Sequence, residues 1–196
     1  MNPLNSSVKT PIESRNDFPS LKRTIGTYPL MYFDGPGGTQ IPTPVIDAMV
    51  YYYHHHNANT HGFFVTTQES DKSIEEARKK MAVFLGAPGS DQISFGANMT
   101  TLAYSLSNAF GRAFDKGEEV LITQLDHEAN RGPWLKLAER GIVVKEVNLL
   151  PDGTLDYTDF NNKITSKTRL VAMGLSSNAL GTVNDTKKII QKVRSV

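Results

Sequence analysis

The fold is decided by the segment Glu119-Val120-Leu121-Ile122-Thr123, which leads into Leu125-Asp126-His127-Glu128-Ala129-Asn130. The first segment is β-branched and aliphatic, a composition typical of a buried strand. The second predicts a loop ahead of a helix, at the position where open α/β sheets bind their ligands. The sequence therefore predicts a strand of a buried sheet and a ligand site at its carboxyl end.

Predicted strands and helices alternate through the second half of the chain. The pattern indicates strands at residues 92–95, 119–123, 142–147 and 169–174, and helices around 102–110, 133–140, 157–164 and 185–193. This order implies right-handed crossovers between parallel strands. We therefore predict an α/β fold with a mostly parallel sheet and helices on both of its faces.

Two further helices are predicted ahead of this sheet. Thr43-Pro44 predicts an N-cap followed by proline at the first helical position, and helical spacing continues to about His56. Ser73-Ile74-Glu75-Glu76 has the form of a capping box, which predicts a second helix that stops at Gly86. The apolar stripe of this second helix consists of Ile74, Ala77, Met81, Phe84 and Leu85.

The composition limits the possible functions. The 196 residues include 21 basic and 20 acidic side chains, a formal net charge of +1, so charge gives no reason to expect a nucleic-acid or membrane partner. Because cysteine is absent, no disulfide, cysteine-based zinc site or thiol nucleophile is predicted. No apolar run suits a signal peptide or a membrane span, so the prediction is a cytoplasmic protein. We expect residues 1–31 to form a partly ordered N-terminal arm and residues 32–196 to form the folded part.

Three loops that carry polar groups are expected at one edge of the sheet. Gly96-Ala97-Asn98-Met99-Thr100-Thr101 offers helix-start amides and a hydroxyl to a phosphate, or else simply caps its helix. His127 is expected to stack on a flat ligand, to move a proton, or only to form a hydrogen bond at a helix start. Asn178 is expected to donate to a ligand oxygen or to be a turn residue. Trp134 is predicted to pack in the core, with its indole N–H hydrogen-bonded.

Other motifs do not add a site. The chain has neither of the two glycine patterns that mark P-loops and dinucleotide-binding turns, which disfavours a nicotinamide-binding domain. His54-His55-His56 are neighbours on a predicted helix and so do not share a face. Asp126 and Glu128 flank His127, but adjacent residues do not give the geometry of paired carboxylates. No metal site is predicted.

Taken together, five segments in this order resemble the class V aminotransferases, a branch of the fold-type I pyridoxal 5′-phosphate (PLP) enzymes. The similarity is greatest to the cysteine desulfurase-like proteins. The segments are residues 32–42, 57–59, 95–101, 125–134 and 177–182. The resemblance implies that residues 32–196 form the N-terminal part of the large domain of such an enzyme.

The resemblance also assigns roles to four residues. Met99 and Thr100 match the family's phosphate-binding positions, His127 matches the histidine that stacks on the pyridine ring, and Asn178 matches the asparagine that hydrogen-bonds the phenolic oxygen. PLP is thus the implied cofactor, and an amino acid is the implied substrate, with C–S cleavage one candidate reaction. A homodimer is implied as well. Asn98 stands where many relatives have glycine, and we expect it to tolerate a left-handed backbone there.

The family's Schiff-base lysine and the aspartate that pairs with the pyridinium nitrogen lie on later strands, and no lysine of this chain has the matching context. The resemblance therefore predicts an N-terminal portion that has no normal PLP-dependent activity by itself and no catalytic residue of its own. Two alternatives remain open from the sequence. One is a non-catalytic truncated paralogue or remnant that binds a complete enzyme, and the other is an incomplete gene model.

Overall fold

The computed structural model describes residues 9–196. The chain divides into two compact units, which meet in the sequence at Ser94 and Phe95. The predicted N-terminal arm includes residues 1–8, which lie outside the described residues. The proposed division between residues 31 and 32 therefore stays a prediction.

The first unit is built mainly from two helices. It contains helix α1 (Pro11–Ser14), the two-residue strands β1 (Thr24–Ile25) and β2 (Tyr28–Pro29), helix α2 (Thr43–His55) and helix α3 (Val65–Leu85). The strands β1 and β2 pair in an antiparallel hairpin. Short 3-10 helices occupy Arg15–Asp17, Pro19–Lys22 and Ser90–Gln92.

The helix boundaries of the first unit differ in part from the prediction. Helix α2 has Pro42 rather than Thr43 as its N-cap. Pro44 is therefore the second residue of the helix and not the first. The predicted capping box at Ser73 was wrong, because α3 already begins at Val65 and Ser73 lies inside it. No proline or glycine interrupts residues 65–73, so nothing restarts the helix there. Gly86 does end the helix, in the left-handed conformation at φ 68°.

One other expectation for this region was wrong. Residues 92–95 do not form a strand, since a 3-10 turn ends at Gln92 and no strand partner follows within the described residues. The apolar stripe of α3 is only partly covered, with Ile74 and Met81 half-buried. Phe84 is 80% exposed and Leu85 is 62% exposed, while Ser70 and Ala82 of the same helix are buried.

The second unit is an α/β layer structure. In chain order it contains α4 (Met99–Ala113), β3 (Glu119–Thr123), α5 (Glu128–Leu135), β4 (Val143–Val147), α6 (Tyr157–Lys163), β5 (Thr168–Val171) and α7 (Thr186–Val193). The sheet order is β4-β3-β5, and both pairings are parallel. This confirms the predicted α/β fold.

The central strand β3 separates two apolar clusters. All five of its residues are buried, and because successive side chains of a strand point to opposite faces, they enter different clusters. One cluster contains Val120, Ile122, Trp134, Leu137, Ile142 and Ala172. The other contains Leu121, Val147, Leu155, Phe160, Ile164 and Ile189. Helices therefore cover both faces of the sheet, as predicted.

The helix after β3 begins earlier than predicted. It starts at Glu128 rather than near Pro133, with His127 as its N-cap, and Pro133 lies inside it. A proline there removes the hydrogen bond to the carbonyl group of Ala129. From Lys136 to Arg140 the chain continues as a 3-10 helix, and Gly141 ends it at φ 84° as predicted. Within residues 9–196, no helix is both long and apolar enough to cross a membrane.

Candidate cofactor site at the carboxyl edge of the sheet

A cavity of about 300 Å³ lies in the second unit, where β3 and β5 end and α4 begins. The residues that line it are Met99, Leu125, Asp126, His127, Asn130, Met173, Gly174, Ser176 and Asn178. Three of the four predicted site residues are therefore brought to one cavity. The fourth, Thr100, follows Met99 in α4 but is not among the lining residues.

The start of α4 leaves donors for an anion. Asn98 is the N-cap, and its Oδ1 accepts hydrogen bonds from the Thr101 amide at 2.9 Å and the Thr101 hydroxyl at 3.1 Å. The first amides of a helix have no partner within the helix, so those of Met99 and Thr100 remain available. Asn98 has an extended backbone at φ −167°. The backbone of Asn98 is therefore not left-handed, and its side chain caps α4.

His127 is held by the helix that follows it. Its Nδ1 accepts a hydrogen bond of 3.1 Å from the Ala129 amide, which makes His127 the N-cap of α5. The proton of the neutral ring is therefore assigned to Nε2. Within residues 9–196, Nε2 has no protein hydrogen-bond partner. The capping role and the stacking role can thus coexist, because capping uses only one edge of the ring.

Asp126 links the two loops of the site, a role that sequence reasoning missed. Its Oδ1 accepts hydrogen bonds from the Gly174 amide at 2.6 Å and from Asn130 Nδ2 at 3.0 Å. Its Oδ2 accepts one from the Thr123 hydroxyl at 2.5 Å. The sequence offered no signal for the contact to Gly174, since the two residues lie 48 positions apart.

The loop that carries Asn178 is braced by its own polar groups. Ser177 Oγ accepts hydrogen bonds from the amides of Ala179 and Leu180, at 3.3 and 3.1 Å. The Asn184 side chain donates to the Gly174 carbonyl at 2.8 Å. The Asn178 side chain is exposed and has no hydrogen-bond partner among the described residues. Asn178 lies in a turn, and its ligand role stays a prediction.

Trp134 packs beneath the site. It is 5% exposed, and its Nε1 donates to Asn130 Oδ1 at 3.4 Å. Its ring lies 6.4 Å from that of Phe110, measured between centroids. This confirms the predicted core position and the predicted partner for the indole. Asn130 thus connects the core tryptophan to the Asp126 carboxylate.

The histidine cluster of the first unit forms no metal site. His55 Nδ1 lies 2.9 Å from the Tyr51 carbonyl oxygen, and its ring stacks on that of Tyr51. His56 Nδ1 lies 3.0 Å from Glu69 Oε2. Across residues 9–196, no group of three or more histidine, cysteine, aspartate or glutamate side chains could hold a metal ion.

A family model described as "Aminotransferase class-V" matches residues 31–196. The chain belongs to the class V aminotransferase family. The chain is 36% identical over 189 residues to the cysteine desulfurase of Serratia proteamaculans. It is 37% identical over 180 residues to a probable cysteine desulfurase of Mycolicibacterium paratuberculosis. These matches confirm the resemblance inferred from the five sequence segments.

The solved structures agree with this assignment. The apo structure of cysteine desulfurase from Thermococcus onnurineus matches with a TM-score of 0.85 at 29% identity, over 96% of this chain and 46% of that chain. The Serratia match covers 94% of this chain and 47% of the relative, and the Mycolicibacterium match covers 90% and 26%. This class V aminotransferase-family chain therefore spans less than half the length of these relatives.

Proposed function

We propose that the cavity of the second unit binds pyridoxal 5′-phosphate. The observation that carries this proposal is that Met99 at the start of α4, His127 in the loop after β3 and Asn178 in the loop after β5 line one cavity. Its volume of about 300 Å³ lies at the lower end of the range usual for small-molecule sites. Bound PLP supplies an electron sink for breaking a bond at a carbon atom of an amino acid.

The start of α4 holds the phosphate group in this proposal. The amides of Met99 and Thr100 donate to phosphate oxygens, and the helix dipole favours the negative charge. Thr100 is not among the residues that line the cavity, and in this proposal its hydroxyl adds a donor at the cavity rim, from the same turn as Met99. No lysine or arginine is among the residues that line the cavity in the described part of the chain. Backbone dipoles and hydroxyl groups are therefore the main source of phosphate affinity on this chain.

His127 and Asn178 orient the ring. The imidazole of His127 packs against one face of the pyridine ring, and its hydrogen bond to the Ala129 amide fixes its plane. The side-chain amide of Asn178 donates to the phenolic oxygen. PLP would thus be held by one residue of the loop after β3 and one residue of the loop after β5.

We further propose that the complete active assembly acts on an amino acid, with cleavage of a C–S bond as the reaction. The support is the similarity to relatives named cysteine desulfurase. By itself, the chain of 196 residues is expected to show no turnover, because no lysine of the described residues lines the cavity. Residues 32–196 are proposed as part of the large domain, and the cytoplasmic location stays a prediction.

We also propose that a second copy of the chain covers apolar surface of the first unit. Met49 of α2 is 52% exposed, and Val83 and Phe84 of α3 are 78% and 80% exposed. Exposed apolar surface of this kind marks interaction sites. Sedimentation velocity should show a dimer that Phe84→Lys weakens, while the charge change Glu139→Lys in the second unit leaves it intact. A monomer at all concentrations would contradict the proposal and would favour a role as partner of another protein.

Titration of the purified chain with PLP tests the cofactor proposal. We expect saturable binding with a shifted absorption band, and a loss of affinity of about fivefold in Asn178→Ala through the lost hydrogen bond. Asn161→Ala, an exposed change in α6, is the matched control. Reduction with borohydride should give no stoichiometric phosphopyridoxyl-lysine. If the wild-type chain binds no PLP, or if both variants bind equally, the proposed site is wrong.

A further inference from the structure

Asp126 is the residue through which the two halves of the cavity are connected. It lies in the loop after β3, directly before His127, and its side chain is half-buried. Its carboxylate accepts hydrogen bonds from Thr123 at the end of β3, from Asn130 in α5, and from the Gly174 amide in the loop after β5. One side chain therefore contacts a strand, a helix and a second loop.

On the His127 side, the carboxylate fixes the turn that leads into α5. The Asp126 amide donates to the Thr123 carbonyl at 3.3 Å, so main chain and side chain close the same turn. The bond to Asn130 anchors the carboxylate to the first turn of α5. His127 lies between these anchors in an extended conformation, φ −60° and ψ 149°, which lets its ring cap the helix.

On the Asn178 side, the carboxylate fixes the start of the loop. Gly174 is held at both of its backbone groups, because its amide donates to Asp126 and its carbonyl accepts from Asn184. The Asp126 carboxylate also occupies the space into which a side chain at Gly174 would project. A Cβ atom at Gly174 would lie 3.1 Å from Asp126 Oδ1. Asn178 follows four residues later in a loop closed by Ser177.

We infer that Asp126 is a positioning residue that sets the His127 ring and the Asn178 amide relative to each other. This inference rests on the proposed function as far as the cofactor is concerned. Asp126 acts through its neighbours and makes no bond to the reacting atoms. Side chains that hold functional groups in this way determine how well a site is preorganised.

The test compares Asp126→Ala with Asp126→Asn. Asparagine keeps the two acceptor contacts of Oδ1, and its Nδ2 can donate to the Thr123 hydroxyl oxygen. Alanine leaves three donors without an acceptor. Asp156→Ala is the matched control, since Asp156 caps α6 through the amides of Thr158 and Asp159, away from the cavity.

Two measurements separate this inference from the proposed function. In hydrogen exchange followed by mass spectrometry, Asp126→Ala should raise the amide exchange rates of residues 127–130 and 174–178 together. Asp126→Asn should leave the exchange rates of both segments close to those of the wild type. In PLP titration, we expect Asp126→Ala to lose affinity by about tenfold and to shift the absorption band, whereas Asp126→Asn stays within about threefold of the wild type.

Each result decides one of the two proposals. Unchanged exchange in Asp126→Ala would overturn the inference whether or not PLP binds. Normal PLP affinity and spectrum in Asp126→Ala would overturn it as well. If the wild type binds no PLP while exchange rises in both segments of Asp126→Ala only, the proposed function fails and the positioning role of Asp126 stands.

Discussion

Lys145 Nζ lies 2.7 Å from Glu119 Oε2, which joins the neighbouring parallel strands β4 and β3. Glu119 is only 8% exposed, and its carboxylate also accepts a hydrogen bond of 2.7 Å from the Thr165 hydroxyl. Burial acts to raise the pKa of Glu119, but the hydrogen bonds from Lys145 and Thr165 outweigh it, so this pKa lies below its usual range. The ion pair joins the first residue of β3 to the middle residue of β4, and Glu119 lies at the end of β3 opposite the cavity.

The first prediction concerns the pH dependence of this ion pair. A lowered pKa in the folded state means that the stabilisation is present above the unfolded pKa, about 4.3, and is lost as the pH falls through the folded pKa. Glu119→Gln should therefore cost about 1–3 kcal/mol at pH 7 and progressively less below about pH 4.3. Urea unfolding followed by fluorescence of Trp134, the single tryptophan, measures both values.

The control for this experiment is Glu139→Gln, a change at an exposed position in the same unit. It should shift the free energy of unfolding by less than about 0.5 kcal/mol. A Glu119→Gln penalty that is the same at pH 3 and pH 7 would contradict the stabilising role of the ionised carboxylate.

A second prediction concerns the packing of α4. A Cβ atom at Gly111 would lie 2.5 Å from Leu137 Cδ2, which is much closer than van der Waals contact. Gly111→Ala should therefore destabilise the chain by about 1–3 kcal/mol, although alanine has the higher helix propensity by about 1 kcal/mol. Ser105→Ala on an exposed position of the same helix is the control.

Removal of the opposing side chain should reveal the clash. Leu137 is 2% exposed, so Leu137→Ala alone is costly. The double variant Gly111→Ala/Leu137→Ala should lose less stability than the sum of the two single variants. The reason is that the methyl group of alanine at position 111 fits once the Leu137 side chain is removed. Strict additivity in thermal or urea unfolding would mean that the two residues do not meet as described.

The third prediction separates the two roles of His127. His127→Asn keeps a helix cap but removes the ring, so stability should change by less than about 0.5 kcal/mol while PLP affinity falls about fivefold. His127→Phe keeps a ring but removes the cap, so it should lose about 1 kcal/mol of stability and retain most of the affinity. Urea unfolding and PLP titration of the same two variants measure these effects. Wild-type affinity in His127→Asn would refute the stacking role.

The fourth prediction tests where the phosphate binds. The substitution Asn98→Asp keeps the cap of α4 and adds a negative charge at the helix start, which should stabilise the chain by about 0.3–1 kcal/mol. The same charge repels a phosphate bound at the Met99 and Thr100 amides. PLP affinity of Asn98→Asp should therefore fall about fivefold, and added salt should reduce this loss.

The matched control is Asn98→Ser, which keeps the cap without a charge and should bind PLP about as well as the wild type. Opposite effects of Asn98→Asp on stability and affinity are the expected signature. An Asn98→Asp variant with normal affinity would show that the phosphate does not lie at the start of α4.

Local patterns were sufficient to predict several elements of the fold. The run Val120-Leu121-Ile122 indicated a buried strand, and it is buried on both faces. Gly86 and Gly141 indicated helix ends, and both adopt left-handed conformations. These features depend on neighbours in the sequence, so a single segment contains the necessary information. Strong short motifs still failed where the longer context differed, as with Ser73, which lies inside α3.

For this protein, the sequence by itself determined the α/β class, the family resemblance and the candidate residues Met99, Thr100, His127 and Asn178. Only the tertiary structure showed that Met99, His127 and Asn178 line one cavity, that Thr100 does not, and that Asp126 accepts a hydrogen bond from Gly174. The physical reason is that a hydrogen bond across 48 residues depends on how parallel strands align their ends. Strand order and register set that alignment, and no local propensity encodes it.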